Sequence, residues 1–248
     1  MLSNPVIDTQ LKHVSVRSFK PDPINTEILN SILEAGRRSP TSSNLQSYSV
    51  IVVRDTEKKQ QISELAGKQQ HIQDCPVFLI FCADLHRGRE ACEMHGTKMT
   101  NNLETFLIST IDASLVGMSV QTAAESVGLG AVMVGGIRNN LREVAQLVDL
   151  PSGVYPVYGM SLGWPILEQM PPQKPRLPRD VVIHEDQYDL SDISPALKAH
   201  DEELAAHYEA LGQNLSAHAW SGTAARILSR PLRPDVGKII NELGFQIS

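Results

Sequence analysis

The sequence predicts an α+β or α/β chain: a sheet of four to five strands flanked by helices, one long central helix and a helical C-terminal arm. Three observations predict it. Short β-branched runs alternate with amphipathic helical spacing over the first two thirds of the chain. One stretch, 102–127, is apolar or small nearly all round. After Trp164 a proline-rich break precedes a C-terminal third that returns to helical periodicity. The pattern divides the chain into a core, 1–190, and an arm, 191–248, that packs on the core or on a partner subunit.

Each element follows from its own residues. Ile28, Ile32 and Ala35, with Leu29 and Leu33 beside them, recur at helical spacing between Asn25 and Arg38, so a helix with one buried stripe follows the Pro21 and Pro23 punctuation. "YSVIVV" (48–53) is a short apolar strand. Asp55 caps "TEKKQQISELAG", a helix that Gly67 closes. "PVFLIFCAD" (76–84) has the unbroken apolar run of a central strand. The polar segment "LHRGREACEMHGTKM" (85–99) reads as a surface loop; His86, Cys92 and His95 lie at no standard zinc spacing, and no metal is expected. Residues 102–127 form a helix stopped by Gly128, buried on most sides in a core or a subunit interface. "GAVMVGGI" and "VYPVYGMSLGW" are strands with the helix "NLREVAQLVDL" between them, and "PILEQMPPQKPRLP" is a loop.

Composition narrows the function classes. A net charge of -6 argues against a protein that neutralises nucleic-acid phosphates over a long footprint. Cys75, Cys82 and Cys92 form no CxxC pair, which suits a reducing compartment. The start of the chain lacks the apolar core of a signal peptide, and the apolar run from Val77 to Ala83 is too short to cross a bilayer. The expectation is a cytoplasmic protein with no nucleic-acid or membrane partner.

"GMSLG" (159–163) matches the G-x-S-x-G nucleophile elbow and makes a serine hydrolase at Ser161 a remote alternative, although Trp164, Pro165, Pro171 and Pro172 leave no helix to build an oxyanion site. "GLGAVMVGG" (128–136) lacks the dinucleotide-binding spacing, and its glycines precede a strand where that fingerprint follows one. The pair Gly135-Gly136 lets a flat ligand lie against backbone amides, or forms an ordinary turn. In "HVSVRSF" (13–19), extended backbone puts His13, Ser15 and Arg17 on one side. An imidazole, a hydroxyl and a guanidinium together make a phosphate receptor, against the alternative of an edge strand with a polar face. Lys174 and Arg176 repeat the alternation in a loop stiffened by Pro172, Pro175 and Pro178, which suggests one anionic ligand for both clusters.

In this order, "HVSVRSF", "RRSPTSSNLQSYSVIVV", "ELAGKQQHI", "IFCADLHR", "AAESVGLGAVMVGGIRNN", "GMSLGWP" and "KPRLP" followed by "HEDQYD" resemble the nitroreductase superfamily over about residues 10 to 190, nearest its NADPH-dependent flavin reductase and oxygen-insensitive nitroreductase branch. The resemblance implies an α+β homodimer with a central mixed sheet, a dimer-core helix at 102–127 and an FMN at each subunit interface. It implies that His13, Ser15, Arg17 and Arg176 hold the FMN phosphate and ribityl, and that Thr41 and Ser42 approach the flavin of the partner subunit. It places Gln69 on the isoalloxazine edge, the amides around Val134, Gly135 and Gly136 on the N5 side, and Lys174 near N1. An ammonium there stabilises the reduced, anionic flavin.

The implied reaction is ping-pong: NADPH reduces the flavin, which then reduces nitroaromatics, quinones or free flavin. Arg138 follows the glycine pair where the branch recognises the NADPH 2′-phosphate. The loop 209–220 carries no arginine or lysine, so Arg226 and Arg230 are the further candidates, and NADH stays open as a donor. A non-catalytic flavin-binding protein of the same fold is the principal alternative.

Overall fold

The computed structural model describes residues 2–213 and 219–247. The chain forms two compact units, Met1–Pro171 with Asp235–Ser248, and Pro172–Pro234. The boundary drawn at 190/191 from sequence therefore falls inside the second unit, and the chain's last helix belongs to the first. Proline punctuation marks the end of the first unit, whereas helical spacing carries no sign of the unit a helix joins.

In chain order the elements are α1 (Pro5–Leu11), α2 (Thr26–Arg37), β1 (Tyr48–Val53), α3 (Thr56–Leu65), α4 (Gln70–Asp74), β2 (Val77–Asp84), α5 (His86–Met94), α6 (Leu103–Ser126), β3 (Gly130–Val134), α7 (Leu141–Leu147), β4 (Val154–Gly163), α8 (Arg179–Val182), α9 (Ser194–Glu209), α10 (Ser221–Leu228) and α11 (Val236–Glu242). Side-chain caps start several of them. Asn4, Asn25 and Asp55 accept amides of the first turns of α1, α2 and α3, and Asn102 with Thr105 closes a reciprocal box at the start of α6. The segment expected as a surface loop at 85–99 contains α5, which buries no residue and therefore shows no apolar stripe to read.

The sheet runs β1-β2-β4-β3. Its central strands, β2 and β4, are buried along their whole length, which is why they read as continuous apolar runs. Within this chain all three ladders are antiparallel. β2 and β3 therefore share a direction, as do β1 and β4, but no two neighbouring strands among the described residues run parallel, so the parallel pairing expected of a mixed sheet is not made within this chain. Pro156 is tolerated in β4 because the ladder to β3 stops at Gly159, and the ladder to β2 is bulged between Phe81 and Cys82.

Alternate residues of β2 feed two cores. Val77, Leu79, Phe81 and Ala83 pack with α2, α6 and the α11 residue Ile240; Phe78, Ile80 and Cys82 pack with Val16, Phe19, Ile62 of α3 and Val144 of α7. α6 was expected to be buried on most sides. One face, including Asp112, Ala113, Val116, Gly117 and Val120, is buried. The other exposes Leu103, Leu107, Ile111, Leu115 and Met118, spaced as a single helical stripe. α6 also has the length and mean hydropathy of a membrane span, but its buried face is committed to α2 and the sheet.

Candidate functional site

The first cluster is the extended segment 13–19. The Val16 amide donates to the Ala131 carbonyl at 3.0 Å and Phe19 bridges to Pro165, so the segment is pinned at two points without joining the sheet as a strand. Val16 and Phe19 are buried with Val14 packed beside them, which leaves His13, Ser15 and Arg17 on the other side, as alternation requires. The three differ in their surroundings. His13 Nδ1 lies 2.6 Å from Glu125 Oε1, and Gln121 Nε2 donates to the same oxygen at 3.1 Å, so the imidazole is clamped to the end of α6. Arg17 is exposed, and its Nη1 makes a long 3.4 Å contact to the Ser15 carbonyl.

The second cluster grows from the turn between α3 and α4, which Gly67 and Lys68 make with φ of 89° and 59°. The turn delivers Gln69. Its Nε2 donates to the Ala66 carbonyl at 2.8 Å, and its Oε1 lies 3.1 Å from His71 Nε2. His71 Nδ1 in turn lies 2.9 Å from Ser161 Oγ. Burial, and then the charge of Arg17, push the His71 pKa below its ordinary value.

The glycine pair sits against this cluster. A Cβ on Gly136 would come within 2.2 Å of Gln69 Nε2 and 2.6 Å of the Ala66 carbonyl, so Gly136 admits the Gln69 side chain. Gly135 faces the Arg138 guanidinium, which itself donates to the Val157 carbonyl. Val134 ends β3, buried.

Thr41 and Ser42 begin a tight loop. Ser43, Asn44 and Gln46 adopt φ of 48°, 58° and 52°, a left-handed conformation that is costly without glycine. Two backbone amides hold the loop, Ser42 N to Asp112 Oδ1 at 3.1 Å and Ser47 N to Asp112 Oδ2 at 3.0 Å. Asp112 is fully buried.

Ser161, the centre of "GMSLG", is 0% exposed within β4, paired with Phe78 on one side and Val132 on the other. It occupies no elbow and meets no solvent. Gly159 and Gly163 are small for packing, since a Cβ on either would meet the Phe78 ring at 2.2 Å or Pro76 at 2.6 Å.

In the second unit, Lys174 and Arg176 line a cavity of about 630 Å³ with Tyr208 and Trp220. Lys174 Nζ lies 5.3 Å from the centroid of the Tyr208 ring, within cation–π range. Asp201 accepts the amides of Trp220 and Ser221, both at 2.8 Å, and so fixes the start of α10. Arg226 on α10 and Arg230 beyond it are exposed. Residues 214–218 of the loop 209–220 lie outside the described residues.

The nitroreductase family profile matches residues 11–164, and that of the family's C-terminal domain matches residues 174–248. The chain belongs to the nitroreductase family. This nitroreductase-family chain is 36% identical over 248 residues to an FMN reductase [NAD(P)H] of Bacillus subtilis, with 98% of this chain and 99% of that protein covered. It is 35% identical over 242 residues to the oxygen-insensitive NADPH nitroreductase of Salmonella typhimurium, covering 98% of each. Among solved structures, NfrA2 of B. megaterium superposes with a TM-score of 0.95 at 34% identity, covering 99% of this chain and 100% of the other. The NADPH:FMN oxidoreductase of Vibrio harveyi complexed with NAD+ gives 0.88 at 33% identity, covering 97% and 98%.

Sequence reasoning did not single out His71, Glu125 or Asp112. Asp112 carried the one legible signal, a carboxylate in the apolar middle of a long helix. His71 and Glu125 acquire their meaning only from partners distant in sequence.

Proposed function

We propose that this nitroreductase-family chain is an FMN-dependent NAD(P)H oxidoreductase that reduces nitroaromatics, quinones or free flavin as a homodimer. The observation that carries the reading is that β3, to which the Val16 amide ties the segment of His13, Ser15 and Arg17, leads directly into Gly135 and Gly136 beside the Gln69 amide. An exposed guanidinium suits a phosphate, and a side-chain amide with one N–H already committed to Ala66 has a second to offer a ring edge. This donor set fits FMN. Bound FMN supplies the two-electron chemistry between the nicotinamide and the acceptor.

The chain's own residues bind and orient. Arg17 and Ser15 take the phosphate and ribityl, joined by His13, whose pairing with Glu125 fixes the ring. Gln69 and the amides of Val134, Gly135 and Gly136 meet the isoalloxazine. Thr41 and Ser42 approach the flavin of the partner subunit across an interface made by the exposed stripe of α6. Lys174 and Arg176 are assigned to the cofactor by their place in the sequence pattern, with Lys174 favouring the reduced, anionic ring. Arg138, Arg226 and Arg230 are assigned to NADPH, with NADH as the other donor. Arg138 Nη1 donates to the Val157 carbonyl, so the role falls to the remaining N–H groups of its guanidinium. Acceptors are flat, electron-poor aromatic molecules held by stacking, and the compartment is the cytoplasm.

The deciding experiment is anaerobic. Purified protein is expected to be yellow and to bleach on addition of NADPH, then to recolour when a quinone or nitroaromatic is added. A yellow protein that never bleaches is a flavin-binding protein without the activity, and a colourless one that takes up no FMN overturns the reading altogether.

A further inference from the structure

We propose that His71 is a positioning residue for flavin recognition: held between Ser161 and Gln69, its imidazole fixes the Gln69 amide so that one Gln69 N–H is left to donate to the flavin ring edge. The inference rests on the FMN reading above and deepens it.

Hydrogen-bond chemistry determines the amide orientation from both ends. The Ala66 carbonyl can only accept, so the Gln69 atom 2.8 Å from it is the NH2 group. The other Gln69 atom is then the oxygen, which also only accepts, so His71 Nε2, 3.1 Å away, carries a hydrogen. In a neutral imidazole this leaves the lone pair on Nδ1, where the Ser161 hydroxyl donates over 2.9 Å. Burial, and then the Arg17 charge, favour the neutral ring. Ser161 is wholly enclosed in β4, a rigid anchor for the ring.

Of the two Gln69 amide hydrogens, Ala66 takes one, and the second has no acceptor among the described residues. Without the His71 donor, the Gln69 oxygen loses its partner and the amide is free to turn. It would then present oxygen to the acceptor atoms along the flavin edge. Gly136 completes the device, since any side chain there would occupy the space of the Gln69 amide. The serine that matches a hydrolase motif is, on this account, the far end of a relay that orients a glutamine.

Two substitutions separate the halves of the relay. His71→Gln places an N–H near the position of Nε2 and keeps the donor to Gln69, whereas His71→Asn reaches only the Ser161 side. FMN titration by fluorescence quenching, with the visible absorption band of the holoprotein as a second readout, is expected to give about tenfold weaker binding and a displaced band for His71→Asn. His71→Gln is expected to stay within about twofold of the parent. Gln69→Leu should reproduce the His71→Asn effect, and the double variant should add little to either.

Equal behaviour of His71→Asn and His71→Gln, or additive losses in the double variant, would overturn the inference. Should His71→Asn fail to fold, Ser161→Ala is measured instead: a displaced flavin band supports the relay and an unchanged band overturns it. A parent protein that takes up no FMN defeats the FMN reading as well, and is recognised before any variant is made.

Discussion

Asp112 accepts the backbone amide of Ser42 at 3.1 Å from a fully buried position midway along α6. Its second oxygen takes Ser47, so one carboxylate holds both ends of a loop containing three left-handed residues. Asp112→Ala would strand two amides and release the loop. The expected loss is about 3 kcal/mol in a denaturant titration, with Asp112→Asn losing less because it keeps one acceptor. Unchanged stability in the alanine variant would show that the loop holds itself.

His71 makes stability depend on pH. Its folded-state pKa lies below the ordinary 6.5, so the folded protein resists a proton that the unfolded chain accepts. This contribution is complete above pH 6.5 and is lost as pH falls from there through the lowered folded-state value. His71→Gln should flatten that part of the profile. If parent and variant lose stability in parallel as the medium is acidified, other groups control the slope.

The three cysteines should separate by reactivity. Cys75 and Cys82 are fully buried, and burial pushes both thiols up, Cys82 to about 12. Cys92 on α5 is half-buried. Native protein should therefore release one thiol equivalent quickly to a disulfide reagent, and the other two only on unfolding. Rapid labelling of Cys82 in the folded state would contradict its placement in β2.

Ile111 lies midway along the exposed stripe of α6. If this stripe forms the proposed homodimer interface, a carboxylate introduced there by Ile111→Glu would be buried unpaired. On that reading the dimer dissociation constant is expected to rise by about a hundredfold or more, read by light scattering, with FMN binding weakened in step. A variant that stays dimeric would place the interface elsewhere.

Much of the fold was legible because its residues carry local signals. β1 and β2 announced themselves as apolar runs, α2 by its stripe and α3 by the Asp55 cap. α5 was not legible, because a helix that buries nothing has no stripe to betray it. At the site, the alternation of His13, Ser15 and Arg17 against Val14 and Val16 follows from extended backbone alone. The partners that give those residues their state do not: Glu125 and His13 stand 112 positions apart, and Ser161 and His71 stand 90 apart. Gly136 shows the same limit. Its missing side chain was legible, but the Gln69 amide that occupies the space beside it was not.

The last turn of the chain carries a practical lesson. α11 and Phe245 return to the first unit, where Ile240 and Phe245 enter the core, the Leu243 carbonyl accepts the Gly153 amide and Arg142 pairs with Glu242. The intervening unit is thus an excursion tethered at both its ends, and ending the gene anywhere between residues 171 and 240 would strip a plug from a hydrophobic interior. Anyone grafting a relative's second unit onto this scaffold should exchange it as a cassette between Pro172 and Pro234 and leave the closing helix in place.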